Sequence, residues 1–128
     1  MDNASLDKIS KQILSDSIEV HKQLGPGLLE SVYEICLYKE LISSGLHVQR
    51  QVFLPVTYKN DILDLDFRID LLVNSEIIIE LKAVDTLLPV HEAQLFTYLK
   101  LADKRLGFLI NFNVPKLVDG FKRKVNKF

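Results

Sequence analysis

The sequence predicts an α/β domain in which a mixed central sheet is flanked by helices. Three observations lead there. Two stretches with apolar residues at helical spacing open the chain. Three strand-like segments, one with strict alternation, fill its middle. A further helix then precedes a short apolar strand. The order is ααβββαβ, with one more short element at the end, and this order suggests a layered domain of helices on a sheet.

Residues 6–24 read as the first helix, because Leu6, Ile9, Ile13, Val20 and Leu24 recur roughly every turn. Gly25-Pro26-Gly27 ends it: glycine admits unusual dihedrals, and proline cannot continue a helix. The second helix spans about 28–44, with Leu29, Val32, Tyr33, Cys36 and Leu37 on one face and Ser44-Gly45 as its stop. Residues 48–58 are rich in β-branched and aromatic types and read as a strand, with Pro55 marking an edge or a bulge. Asn60-Asp61 marks a turn. Residues 63–73 then alternate, Leu65, Phe67, Ile69 and Leu71 on one side and Asp64, Asp66, Arg68 and Asp70 on the other. After Asn74-Ser75 comes a strand at 76–84, with Ile77, Ile79, Leu81 and Ala83 facing one way and Ile78, Glu80, Lys82 and Val84 the other. Pro89 opens a third helix, about 89–103, residues 105–112 form an apolar strand, and 116–125 is ambiguous between a strand and a helical turn.

Bulk properties narrow the function classes. The 128 residues and 48% hydrophobic content suit one domain, residues 1–128, with a single core. No apolar run reaches membrane-spanning length, and Met1 to Ser5 lack an apolar signal segment. The single cysteine, Cys36, cannot form an internal disulfide, which fits a reducing compartment without establishing one, and a cytoplasmic setting is the expectation. A net charge of −1 excludes unselective coating of nucleic acid. Any such binding needs a local patch, for which Lys122, Arg123 and Lys124, with Lys116 and Lys127, are the candidates. On charge alone the favoured reading is a solvated end.

The stretch richest in chemistry is Asp70 followed by Glu80 and Lys82. Glu80 and Lys82 are two apart and share a face of their strand. Carboxylate oxygens are the hard ligands that Mg²⁺ prefers, and an adjacent ammonium can stabilise charge on a phosphate. The hairpin sets a condition. A two-residue Asn74-Ser75 turn would oppose Asp70 to Ile79 and turn Asp70 and Glu80 to opposite faces, so a shared site requires a three-residue loop or an equivalent bulge. The same charges would also suit a solvated hairpin face with weak ion pairs. His91, Gln94 and Tyr98 lie on one side of the third helix, where Gln94 could orient water or phosphate, or all three could mark the polar margin of the core. His91 reads as structural, because no His/Cys cluster accompanies it. Tyr33 reads as a core residue with a polar tip, Glu30 is favoured by the helix dipole, and Glu40 lies close enough to the apolar face to need a partner.

Gly27-Leu28-Leu29-Glu30-Ser31-Val32-Tyr33 has the form GxxExxY. Ile69-Asp70-Leu71-Leu72-Val73, Glu80-Leu81-Lys82-Ala83, His91 to Leu99 and Gly107 to Phe112 follow in order. Together they resemble the GxxExxY proteins of the PD-(D/E)XK nuclease superfamily, and the likeness runs from the first helix to Arg123. The resemblance implies a restriction-endonuclease-like αβββαβ core and a metal-dependent nuclease. Asp70 and Glu80 would hold Mg²⁺ or Mn²⁺ and Lys82 would complete the hydrolytic site. Glu30 would add a metal or water contact, Gln94 and Tyr98 would match a QxxxY helix, and Tyr33 would support the site. Ile69 stands where the superfamily's name has proline, a position without a metal-binding atom. DNA is the expected substrate, with RNA as the alternative. No membrane partner is expected, and self-association is left open. The competing readings are a non-catalytic nucleic-acid- or protein-binding module on the same fold, and an assembly protein.

Overall fold

The structure is a computed structural model that describes residues 1–63 and 65–128. Its first helix, α1, runs Asn3–Leu24, capped by the Asp2 carboxylate, which accepts the Ser5 amide at 2.8 Å. Leu6, Ile9, Ile13 and Val20 form its buried stripe, and Gly25 ends it with a φ of 67° that favours glycine. Helix α2 (Glu30–Ser43) buries Tyr33, Glu34, Leu37 and Leu41. The strands follow as β1 (Val48–Phe53), β2 (Val56–Tyr58), β3 (Asp61–Leu63), β4 (Arg68–Val73) and β5 (Ile77–Lys82). Helix α3 (Pro89–Ala102), β6 (Leu106–Asn111), a 3₁₀ turn (Leu117–Gly120) and β7 (Phe121–Val125) complete the chain.

Five strands form one sheet in the order β1-β4-β5-β6-β7. Every neighbouring pair is antiparallel except β5 and β6, which run parallel because α3 carries the chain across between them. Leu71, Val73, Ile77, Ile79, Leu81, Phe108 and Ile110 pack into one cluster with the stripes of α1 and α2. Ile69, Leu72, Ile78 and Leu109 pack into a second cluster with Leu95, Tyr98 and Leu99 of α3. The fold is the mixed α/β architecture expected from the sequence, and it is consistent with the restriction-endonuclease-like class.

Two expected strands are broken. The stretch 48–58 divides around Leu54-Pro55, where the proline has no amide to give a ladder, and its second part pairs with Asp61–Leu63 as a separate hairpin. Lys59 and Asn60, at φ of 48° and 70°, make the left-handed turn that this two-residue hairpin needs. The long alternation expected across 63–73 therefore does not exist as one strand. Its Asp64 lies outside the described residues. Ile69 and Leu71, expected on one side, go to opposite clusters. The ambiguous tail contains both elements proposed for it, a helical turn and then a strand.

Candidate active site

The loop between β4 and β5 sets the site. Val73 pairs with Ile77, so the loop is the three residues Asn74, Ser75 and Glu76. Asn74 and Ser75 take φ of 51° and 57°, and Asn74 is tied to His47 by its amide (2.7 Å) and its Oδ1 (2.8 Å). This is the odd loop a shared site requires. Carrying the register one row past Leu71 and Ile79 sets Asp70 beside Glu80.

The two carboxylates meet through backbone bonds. The Asp70 amide donates to Glu80 Oε1 at 3.3 Å, and the Leu81 amide donates to Asp70 Oδ2 at 2.9 Å. Glu80 is 6% exposed. Burial, and then the charge of Asp70, push its carboxyl well above the usual carboxylate range, while the Lys82 ammonium acts in the opposite direction. Tyr98, on α3, lies over this end of the sheet. Burial and the charge of Glu80 raise its phenol, and Gln94 Nε2 donates to its hydroxyl at 3.2 Å. Thus Asp70, Glu80, Lys82, Gln94 and Tyr98 belong to one neighbourhood.

Helix α2 contributes a carboxylate that the sequence reading passed over. Glu30, named there, stands exposed at the helix N-terminus. One turn later, Glu34 is buried. It takes Arg50 Nη2 on Oε2 at 3.2 Å and Gln51 Nε2 on Oε1 at 2.7 Å. The Gln51 amide nitrogen also approaches Asp70 Oδ1 at 3.4 Å. Burial raises the Glu34 carboxyl, the Gln51 bond opposes this, and the charge of Asp70 adds to the rise. The helix acid linked to Asp70 is therefore Glu34, not Glu30. A signal was present, since Glu34 shares the 34-37-41 spacing of the buried stripe with Leu37 and Leu41.

Gln51 has a φ of 51°, a conformation that costs a non-glycine residue roughly 1–2 kcal/mol. The β1/β4 register includes Arg50 with Leu71 and Val52 with Ile69, and skips Gln51 and Asp70 between them. The distortion lies within the polar network, as backbone strain at functional sites often does.

The other candidates have different surroundings. Tyr33 is fully buried, stacks on Phe112 at 4.6 Å between ring centroids, and donates from its hydroxyl to Gly25 O at 2.6 Å, so it secures the turn between α1 and α2. His91 caps α3, its Nδ1 accepting the Leu88 amide at 3.0 Å. Lys122, Arg123 and Lys124 sit on β7, separated from β5 by β6. Lys124 pairs with Glu92 at 2.9 Å, and Arg123 lies over the Phe128 ring and 4.0 Å from Asp7. They are structured members of the sheet edge, not a loose basic tail. A concavity of about 320 Å³ beside Lys8, Gln12 and Ser44 lies along α1 and does not include the carboxylates.

The carboxylate pair is suited to a divalent cation. Two hard oxygen donors on adjacent strands, one of them buried, repel each other, and a positive ion between them relieves that repulsion. Among the described residues no three His, Cys, Asp or Glu side chains gather as a metal cage, and none of their helices is long and apolar enough to cross a membrane. A two-carboxylate site matches the habit of Mg²⁺, which retains several waters. Residues 7–124 match the PD-(D/E)XK nuclease superfamily. No curated protein and no solved structure matches the chain.

Proposed function

The chain belongs to the PD-(D/E)XK nuclease superfamily, and from that premise we propose that it hydrolyses phosphodiester bonds of DNA with a divalent cation, Mg²⁺ or Mn²⁺, held by Asp70 and Glu80. The observation that carries the reading is the direct contact of Asp70 and Glu80 across the β4/β5 pair, with Lys82 two residues on. When bound, the cation supplies Lewis acidity toward the phosphate and lowers the pKa of water.

The chain's own residues supply the rest. Asp70 has one carboxylate oxygen anchored by the Leu81 amide, which fixes the direction of the other. Glu80 is costly to ionise where it stands, and this favours a bound cation over an empty pair. Lys82 leaves Glu80's side of β5 with an ammonium that can stabilise charge developing on a phosphate oxygen or position the attacking water. Gln94 is exposed beside Tyr98, within reach of a substrate that enters over α3. Within the superfamily, the ordered motifs from Gly27 to Phe112 favour the GxxExxY group.

The test is incubation of the purified protein with single- and double-stranded DNA and with RNA, in Mg²⁺, Mn²⁺ or EDTA, beside Asp70→Ala and Lys82→Ala. Cleavage of DNA that needs the metal and disappears in both variants is the expected result. Cleavage that persists in Asp70→Ala overturns the assignment. Salt-sensitive DNA binding without turnover by the wild type supports the non-catalytic module instead.

A further inference from the structure

Arg50 and Gln51 are consecutive residues of a strand, yet both side chains reach Glu34. In a regular strand they would point to opposite faces. The left-handed backbone at Gln51 makes the double contact possible, and it falls where the β1/β4 ladder omits the row containing Asp70. The bridging atom is also settled by chemistry. Both neighbours of the Gln51 amide are carboxylate oxygens, so its nitrogen, and not its oxygen, must face them.

We propose that Gln51 is a positioning residue for the cation site. Its amide, anchored on Glu34, holds Asp70 Oδ1 in the orientation that receives the metal. The inference rests on the reading of Asp70 and Glu80 as the cation-binding pair. The two bonds differ in length, 2.7 Å to Glu34 and 3.4 Å to Asp70. The shorter is the anchor. The longer is one that Asp70 can surrender to a cation without releasing the amide from its place. Asp70 is then steered from both sides, by the Leu81 amide on Oδ2 and by Gln51 on Oδ1. Glu34, from a helix on one face of the sheet, is coupled through a single side chain to a pair whose other neighbour, Tyr98, comes from the helix on the opposite face. Outer groups that orient metal ligands in this way commonly change affinity by about 10–100-fold when removed.

Two variants separate the amide from the backbone. Gln51→Gly accepts the positive φ and deletes the amide. Gln51→Met retains the side-chain length and deletes the donors. Titration calorimetry with Mn²⁺ alone, beside wild type and Asp70→Ala, reads the site without any activity assay, and thermal melting in EDTA checks the fold. The expected result is Mn²⁺ binding weakened about tenfold in both Gln51 variants, with the melting temperature of Gln51→Gly no lower than that of wild type. If either folded variant binds Mn²⁺ within about twofold of wild type, while Asp70→Ala has lost binding, the positioning role falls and the cation site stands. If wild type binds no Mn²⁺, or Asp70→Ala binds it as wild type does, the reading of the site itself falls and takes this inference with it.

Discussion

Two stretches of the same strand pair follow opposite rules. The rows Val73/Ile77, Leu72/Ile78 and Leu71/Ile79 are apolar, buried and regularly paired. One row further, Asp70 and Glu80 are polar, the neighbouring β1 ladder is broken, and a buried carboxyl is held away from its ordinary ionisation. The first three rows fix register by burial, since a slip of one residue would move each side chain from the cluster it fills to the one on the opposite face of the sheet. The fourth exploits that register. The hairpin teaches that a costly polar row can be sustained when the rows beside it leave the strands no alternative pairing.

The largest expected effect separates the rows by function. Asp70→Asn keeps an acceptor for the Leu81 amide but removes the charge, so cleavage should fall by about 10³-fold, close to 4 kcal/mol in the barrier, with the urea midpoint almost unchanged. A loss of both together would mean that Asp70 belongs to the stabilising half of the hairpin. Ile79→Ala, one row away, should do the reverse. It leaves a cavity in a fully buried position and should lower unfolding free energy by about 3 kcal/mol in denaturant titration, with activity per folded molecule retained.

Glu80→Gln should show the opposing demands of the two halves. In metal-free protein the raised carboxyl takes up a proton on folding, so its contribution to stability is present below the ordinary glutamate range and lost as pH rises through the raised folded value. Glutamine has no charge to desolvate. The variant should therefore melt higher than wild type at pH 8, by a few degrees for about 1 kcal/mol, and the gap should close toward pH 4. Calorimetric melts across that range check it, and a gap that widens at low pH would contradict the buried-charge account. Arg68→Ala should matter least. Its partner Asp66 and the arginine itself are both exposed, and loss of their 2.7 Å pair should cost less than about 0.5 kcal/mol in the same melts.

The helices were legible from their apolar spacing and β5 and β6 from their dense apolar runs, and the odd loop followed from requiring Asp70 and Glu80 to share a site. What escaped was set by context. Nothing in Arg50-Gln51-Val52 announces a left-handed backbone, because the conformation is held by partners on α2 and β4. Glu34 was overlooked because Glu30 occupies the more conspicuous place in the GxxExxY pattern, although the two lie one turn apart on the same helix. The break after β1 was half visible in Pro55, but the pairing of 56–58 with 61–63 depends on tertiary choice among several apolar segments.

The kink at Gln51 has a consequence for how the molecule meets its own copies. β1 is an outer strand of the sheet, and a flat outer strand is a template on which another chain can extend the ladder. The left-handed residue Gln51 interrupts the row of amides and carbonyls midway along β1, so an added strand would meet a ladder with a distorted row at its centre. The opposite outer strand, β7, carries Lys122, Arg123 and Lys124, and charged side chains of this kind blunt an exposed sheet edge. The same local distortion that brings an amide between two acids is thus expected to disfavour pairing of copies through this sheet edge.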